Sequence, residues 1–409
     1  MEGEFLRFSF VDKHLAMLLS KIKYSQFEDE NRKWNLNEVG FGKINLLVGK
    51  NSSGKSKTLA IINSLSALLS ENVKLLFVDG YYLATFQQNN STYQYELRYR
   101  ESNVILENLF LNGGSLIARD ADGGGDILTF SGNRISGYAG GELKEFKIPP
   151  DELKANRRDE IQYPYLEDLN FWARHVRKFE FSSLLGKNAV AILDKTQKNE
   201  FDFKLKETEK VISIFNQGKT KYGKKFIDNI VKDFNSIGFD ITDVGVGPLV
   251  SIYYKTENPG FEVVGLRVQE RNLACATDQN DMSNGMYRAL SIIIHFNYYE
   301  LEEIPGTVLI DDVGEGLDYE RSTELIKLLI SKIESTHINI QLIMATNDRF
   351  VMNVVDLKYW QIIDRVGSEV SYYNIKNSQK AFEDFKFTGL ANFDFFSTGF
   401  FKTGYESEQ

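Results

Sequence analysis

The chain has 409 residues, of which 42% are hydrophobic and 26% charged, enough for one large domain or two modest domains with a buried core. Its formal net charge of −9 excludes an overall positive field that would attract nucleic acid, although a local basic groove is still allowed. Cys275 is the single cysteine and no apolar run approaches the roughly 20 residues of a membrane helix, so we expect a reduced, cytoplasmic protein without a membrane partner.

The first predicted elements surround a loop bounded by two glycines. The alternating segment EFLRFSFV predicts an N-terminal strand, KINLLVG a buried strand, and SKTLAIINSLSALLS a helix. Between that second strand and the helix, the sequence fits the phosphate-loop pattern G-x-x-x-x-G-K-S/T. Its glycines let successive N–H groups face one anion, its lysine reaches the β/γ-phosphates, and its serine hydroxyl ligates Mg²⁺. An ordinary strand-to-helix turn is the alternative. We predict that ATP binds here through Gly49, Asn51, Ser52, Ser53, Gly54, Lys55, Ser56 and Lys57.

Two segments of different character follow this loop. Residues 73–150 alternate, are rich in aromatic residues, and carry glycine-rich turns at DADGGGD and AGGE, which predicts an antiparallel β-subdomain. Residues 151–238 turn charged and helical in period, without a sustained heptad, so we expect a helical insertion and no long coiled coil. The basic run Lys219 to Lys225 is the first candidate for a nucleic-acid patch, although a surface loop is the simpler interpretation.

Polar residues at the ends of apolar segments form a second constellation. GTVLIDDVGEGLD predicts a buried strand ending in Asp311, which could complete the Mg²⁺ shell, and Asp312, which could activate an attacking water. The alternative is a strand that ends in solvated aspartates. Ser283 and Gly285 begin an apolar helix 28 residues earlier (311 − 283), where a hydroxyl and bare N–H groups can hold a phosphate. LIMATND ends another strand at Asn347, 36 residues after Asp311 (347 − 311).

This order of motifs resembles the ABC-type ATPase heads of the RecF, SMC and OLD-like group. Those heads carry a Walker A loop, a β-subdomain and helical insertion, an S-x-G signature, a Walker B strand, a D-loop and an H-loop. The resemblance covers about Phe5 to Asp364. It implies ATP and Mg²⁺ as cofactors, with Ser56 and Asp311 as metal ligands and Asp318 as the D-loop residue. It also implies that Ser283 and Gly285 contact the γ-phosphate on a partner protomer, and therefore a homodimer or higher homo-oligomer.

Three positions depart from the family pattern or are hard to assign. Asp312 stands where the family usually has glutamate, and Asn347 stands where it usually has histidine. A shorter carboxylate and an uncharged amide are expected to slow ATP hydrolysis, because catalysis here is positioning plus electrostatics. Gln162 is the preferred Q-loop residue, while a solvated glutamine at a helix start is an equally good interpretation.

We therefore predict an α/β fold: an ABC-type ATPase head with a mixed sheet around the phosphate loop, an antiparallel β-subdomain and a helical signature subdomain. The predicted segments are 1–150, 151–270, 271–375 and an aromatic tail at 376–409. The predicted function is a slow, ATP-dependent dimerising ATPase or switch of the DNA-maintenance or anti-phage defence type. It would act through a separate effector protein, without a fused nuclease, and nucleic acid is an allowed further partner. The alternatives are an ATP-binding scaffold with little hydrolysis and a transporter's nucleotide-binding subunit, which Met282 in place of leucine disfavours.

Overall fold

The computed structural model describes residues 17–70, 75, 78–119, 149–156, 163–194, 204–249 and 260–403. These residues form sixteen β-strands and ten α-helices. The strands are β1 (Leu18–Gln26), β2 (Trp34–Gly40), β3 (Ile44–Gly49), β4 (Asp79–Gln88), β5 (Ser91–Arg100), β6 (Asn103–Leu111), β7 (Gly114–Arg119), β8 (Val176–Glu180), β9 (Ala191–Asp194), β10 (Ile241–Pro248), β11 (Phe261–Glu270), β12 (Thr277–Asp278), β13 (Gly306–Asp311), β14 (Ile340–Thr346), β15 (Trp360–Val366) and β16 (Glu369–Tyr373). The helices are α1 (Lys55–Ser70), α2 (Glu167–Arg174), α3 (Val211–Tyr222), α4 (Lys224–Ser236), α5 (Asn284–Glu302), α6 (Tyr319–Ser335), α7 (Arg349–Val354), α8 (Gln379–Phe385), α9 (Asn392–Ser397) and α10 (Phe400–Thr403).

One mixed sheet of twelve strands organises the molecule. Its order is β7-β6-β5-β4-β1-β2-β16-β15-β3-β14-β13-β8. The strands β15, β3, β14, β13 and β8 run parallel, whereas β1 and β4 to β7 pair antiparallel. The predicted α/β fold with a mixed sheet around the phosphate loop and an antiparallel β-subdomain is confirmed.

The central strands are apolar throughout because helices cover both faces of the sheet. All residues of β3, β13 and β14 are buried, as parallel strands between two helical layers require. Side chains alternate between two cores: Val308 and Ile310 pack with α5, while Leu309 between them packs with α1. Apolar positions on α1 at three-to-four spacing, such as Leu59, Ile62 and Leu65, make the buried face of that helix. The phosphate loop thus joins the middle of the sheet to one covering layer.

The segment predicted as a helical insertion is only partly helical. Residues 176–180 form β8 rather than the continuation of α2, and β8 is the edge strand beside β13. The physical reason is burial: Val176, Arg177 and Phe179 are fully enclosed, and parallel pairing satisfies the backbone next to β13. The helices α3 and α4 and the strand β9 also belong to this segment, and β9 joins a small sheet with the later strands β10 to β12.

The aromatic tail completes the core on the α5 side. Phe382, Phe385, Phe395 and Phe401 are buried in that core, whereas Phe387 is 89% exposed. The rings of Phe382 and Phe395 meet edge to face, with centroids 4.6 Å apart. The tail therefore acts mainly as core, and the four-segment division of the chain stays a prediction. No helix among the described residues is long and apolar enough to cross a membrane.

Candidate nucleotide-binding site

The phosphate loop has a tightly curled backbone. Ser52 and Gly54 adopt left-handed conformations, with φ of 62° and 112°. A Cβ added at Gly49 would lie 2.5 Å from Ser53 Oγ and 2.9 Å from the Ile363 carbonyl oxygen. Only glycine fits at this strand end. The predicted glycines therefore have steric and conformational reasons to be where they are.

Lys55 and Ser53 present polar groups inside this loop. Lys55 is 5% exposed, and its Nζ donates to the carbonyl oxygens of Gly49 and Lys50 at 2.8 and 3.1 Å. Burial lowers the pKa of Lys55, while the nearby carboxylates of Asp312 and Asp311 work in the opposite direction. Ser53 Oγ is buried and has no hydrogen-bond partner among the described residues. An ammonium resting on carbonyls and an unpaired hydroxyl fit the oxygens of a phosphate group.

Ser56 and Asp311 meet across 255 positions of sequence. Ser56 Oγ donates to Asp311 Oδ1 at 3.0 Å, because α1 begins directly over the end of β13. Burial raises the pKa of Asp311, the hydrogen bond from Ser56 opposes that rise, and the Asp312 carboxylate adds to it. A hydroxyl and a carboxylate oxygen side by side are ligands that Mg²⁺ accepts. These two residues could hold the metal.

Side chains outside the motif hold the loop from behind. Thr58 Oγ1 lies 2.9 Å from the Gly54 carbonyl oxygen and 2.6 Å from the hydroxyl of Tyr372 on β16. Lys57 Nζ sits 4.0 Å from the centroid of the Trp34 ring, and burial, followed by the positive charge of Arg365, lowers the pKa of Lys57. The Lys57 ammonium is thus directed toward an aromatic ring of β2 in this conformation.

The predicted signature and D-loop residues begin two helices. Ser283 is the N-cap of α5, and its hydroxyl accepts from the Met286 backbone N–H at 3.1 Å. Asp318 is the N-cap of α6 and accepts from the Arg321 backbone and guanidinium at 2.9 and 2.8 Å. The pKa of Asp318 lies below its usual range, chiefly because the Arg321 backbone N–H donates to this carboxylate. The positive charge of the Arg321 guanidinium lowers it further. No hydrogen bond between described residues joins Ser283 or Asp318 to the phosphate loop.

A family profile described as "AAA domain, putative AbiEii toxin, Type IV TA system" matches residues 44–353, which span most of the chain and every motif above. The chain belongs to this AAA family. No curated protein matches it by sequence.

Several solved structures are similar in fold to this AAA-family chain. An SMC head domain from Thermotoga maritima is 14% identical with a TM-score of 0.42, covering 87% of this chain and 98% of that one. An SMC head bound to the C-terminal winged-helix domain of ScpA is 13% identical with a TM-score of 0.46, covering 88% and 99%. An SMC head with an extended coiled coil, bound to the C-terminal domain of ScpA derived from Pyrococcus furiosus, is 13% identical with a TM-score of 0.45, covering 90% and 100%.

In this AAA-family chain, two of the residues predicted to act in hydrolysis line one cleft. Asp312 and Asn347 both line it, together with Thr346, Asp348 and the segment 313–317. Asp312 is partly buried and has a φ of 51°, while Asn347 is exposed at the end of β14. The structure thus brings together two of the three predicted catalytic residues. Gln162 lies outside the described residues.

Sequence reasoning missed charged residues beside the Walker B strand. Glu180 pairs in register with Asp311 across β8 and β13, and Lys178 forms an ion pair with Glu180. The negative charge of Glu180 adds to the rise in the pKa of Asp311, which the Lys178 ammonium opposes. The sequence around Lys178 and Glu180 predicts a helix, and nothing in that pattern places these two side chains next to Asp311. Arg365, whose Nη1 donates to the Ser52 carbonyl oxygen at 3.3 Å, carried no sequence signal either.

Proposed function

We propose that this chain is an ATP-dependent, dimerising ATPase that acts as a slow switch on a separate effector protein. The observation that carries the proposal is the 3.0 Å contact between Ser56 Oγ and Asp311 Oδ1, next to a buried Lys55. The fold places the hydroxyl of the phosphate loop beside the carboxylate at the end of β13, and this pair of oxygens next to an ammonium suits Mg²⁺ and a phosphate. Membership in an AAA family supports nucleotide binding.

Each residue has a distinct part in the proposed chemistry. Lys55 offsets phosphate charge and the loop N–H groups donate hydrogen bonds to the phosphate oxygens, while Ser56 and Asp311 would hold Mg²⁺, which would offset further phosphate charge. Asp312 orients and deprotonates the attacking water from its position in the cleft, and Asn347 donates an amide hydrogen bond toward the transferred phosphate. Asn347 cannot carry a positive charge, so the proposed hydrolysis is slow.

The partner is proposed to be a protein effector in DNA maintenance or anti-phage defence. The family description names a TA system, which supports action together with a second protein. The structure gives less support to direct nucleic-acid binding by the basic run Lys219 to Lys225 than to a protein partner. There Lys221 pairs with Glu302 and Lys224 pairs with Asp228, both at 2.6 Å, so part of the basic charge is already neutralised.

Nucleotide binding by a Lys55→Ala variant tests the proposal. We expect the variant to lose ATP binding, because Lys55 is the loop ammonium that lies over the Gly49 and Lys50 carbonyls. Calorimetry with ATP and Mg²⁺ measures this, with Lys225→Ala, an exposed lysine of the α3–α4 region, as the matched control. Equal affinity in Lys55→Ala and the parent chain would contradict the proposal.

ATP hydrolysis measured with and without DNA then separates a nucleic-acid-stimulated enzyme from one that DNA leaves unchanged.

An ATP-binding scaffold without turnover is the second candidate. It is favoured by Asp312, whose short side chain starts from a backbone of φ 51°, and by the exposed amide of Asn347. Single-turnover measurements with the parent chain and Asp312→Asn distinguish the two candidates. If both chains retain ATP unhydrolysed over hours, the scaffold is correct.

A further inference from the structure

Arg288 is a buried cation that contacts two loops at once. It lies in the second turn of α5 and is 7% exposed. Its Nε donates to the Ser183 carbonyl oxygen at 2.8 Å, and its Nη1 donates to the Glu315 carbonyl oxygen at 3.2 Å. Among the described residues no carboxylate forms an ion pair with it. Burying a guanidinium is costly, so these backbone contacts are what holds it in place.

The two carbonyl groups belong to loops that leave the candidate nucleotide site. Ser183 follows β8, whose Glu180 pairs with Asp311, and the Phe181 N–H donates to the Asp311 carbonyl oxygen at 3.0 Å. Glu315 lies between Asp312 and the D-loop residue at 318. The guanidinium therefore connects the signature helix α5 to both sides of the Walker B carboxylate.

A backbone contact beside Arg288 joins the same elements independently. Gly285 of α5 packs against Gly316, so closely that a Cβ at Gly285 would lie 2.1 Å from the Gly316 carbonyl oxygen. Gly316 itself has a φ of 83°, and a Cβ there would lie 3.0 Å from Arg288 Nη1. Both glycines are thus needed for contact within one protomer, whatever Gly285 does across a dimer.

Resting on the proposed function, we propose that Ser183, Gly285, Arg288, Glu315 and Gly316 form a signature joint in which Arg288 is the positioning residue. The joint makes the N-terminus of α5 and the 313–318 segment move as one unit. A change at Asp311 and Asp312 on ATP binding then reaches Ser283 through Arg288. Arg288 need not touch the nucleotide, so its loss should uncouple dimerisation from ATP binding without preventing binding.

The experiment compares Arg288→Met with the parent chain, with Arg271→Met as control because the Arg271 side chain forms an exposed ion pair with Asp240. Calorimetry measures ATP affinity, sedimentation measures ATP-dependent dimerisation, and hydrogen exchange follows peptides covering 313–318. We expect Arg288→Met to bind ATP as the parent does but to dimerise at least about fivefold more weakly, the lower end of typical coupling between sites. ATP should protect the 313–318 peptides in the parent and control but not in Arg288→Met. Arg288→Lys, which keeps the charge but cannot span both carbonyls, should fall between them.

Several outcomes would overturn the signature joint. Parent-like dimerisation and protection in Arg288→Met would do so, and so would loss of ATP binding in that variant, because Arg288 would then support the phosphate loop directly. If Arg288→Met fails to fold, Gly316→Ala tests the same joint, because its Cβ would lie 3.0 Å from Arg288 Nη1, with the same expected loss and the same contrary result. Failure of the parent chain itself to bind ATP would instead contradict the proposed function.

Discussion

At the residue scale, Asp312 combines an unusual backbone conformation with the side chain proposed to activate water. Its φ of 51° lies in the left-handed region, which aspartate tolerates better than most residues with a Cβ. The Val313 N–H that follows donates to the Ala345 carbonyl oxygen at 3.0 Å and fixes the turn. The aspartate at position 312 is therefore compatible with this tight turn.

His295 gives a pH prediction at the same scale. It is fully buried on α5, with Nδ1 2.8 Å from the Ser291 carbonyl oxygen and its ring edge to face with Phe179. Burial lowers the pKa of His295 to about 4; the Ser291 carbonyl opposes this shift and the positive charge of Arg177 reinforces it. An unfolded histidine titrates at about pH 6.5. Between these values the unfolded chain binds more protons, so the free energy of unfolding falls as pH drops through this window.

A His295→Phe variant tests this prediction. Between pH 7 and pH 5 its free energy of unfolding should fall by about 2 kcal/mol less than that of the parent, because the variant has no proton to take up at this position. Urea denaturation at both pH values measures the difference. His337→Phe is the control, since the side chain of His337 is 70% exposed, and it should follow the parent. Parallel pH profiles for His295→Phe and the parent would show that His295 does not titrate as described.

At the element scale, the sequence predicted the strands and helices whose own residues show a clear apolar pattern. β3, β13 and β14 are short apolar runs bounded by glycine, aspartate or asparagine, and α1 has apolar residues at three-to-four spacing. The phosphate loop and the Ser56–Asp311 pair were predicted from the motifs at the ends of these elements. β8 was missed because its charged residues Arg177, Lys178 and Glu180 look like a helix surface. Its strand conformation is imposed by the neighbouring β13, a tertiary effect that outweighs local propensity. Arg288 and Arg365 bond to backbone carbonyls, which no sequence pattern reports.

The packing of three helices depends on a polar network around Lys332. Lys332 of α6 bonds to Asp233 of α4 at 2.8 Å and to Glu300 of α5 at 2.7 Å, and Asn297 donates to Asp233 at 2.7 Å. Burial works against the charged form, but the carboxylates of Asp233 and Glu300 raise the pKa of Lys332. Lys332→Met would leave the enclosed carboxylate of Asp233 without its cation.

We expect Lys332→Met to lower the free energy of unfolding by about 3 kcal/mol, as removing one partner of a buried pair does. Chemical denaturation measures it. The matched control is Lys327→Met on the same helix, whose exposed pair with Glu324 should contribute less than about 0.5 kcal/mol. Equal effects of the two substitutions would mean that the network adds nothing to the packing of α4, α5 and α6.

At the scale of the whole molecule, the shared-site dimer is open to direct test. Asp312→Asn should trap the ATP-bound state by removing the proposed base. In a Cys275→Ser background, cysteines at Asn51 and Asn284 should then crosslink between protomers only when ATP is present. Both positions are exposed, and Asn284 lies beside Ser283 without removing its hydroxyl. Cysteines at Asn51 and Lys225 serve as the control pair. If no dimer-sized product appears on a denaturing gel in response to ATP, the two half-sites do not face one another.

The strand order of the main sheet also dictates when the site can be built during synthesis. β3 pairs on one side with β14, where Val48 lies opposite Thr346, and on the other with β15, where Val48 lies opposite Ile362. These partners are 298 and 314 positions further along the chain (346 − 48 and 362 − 48). β3 therefore leaves the ribosome roughly half a minute before β14 and β15, at typical translation rates of about 5–20 residues per second. Until β14 has been made, the apolar β3 has no in-sheet neighbour, and until β15 follows it has only one, so the strand that holds the phosphate loop stays unpaired for most of synthesis.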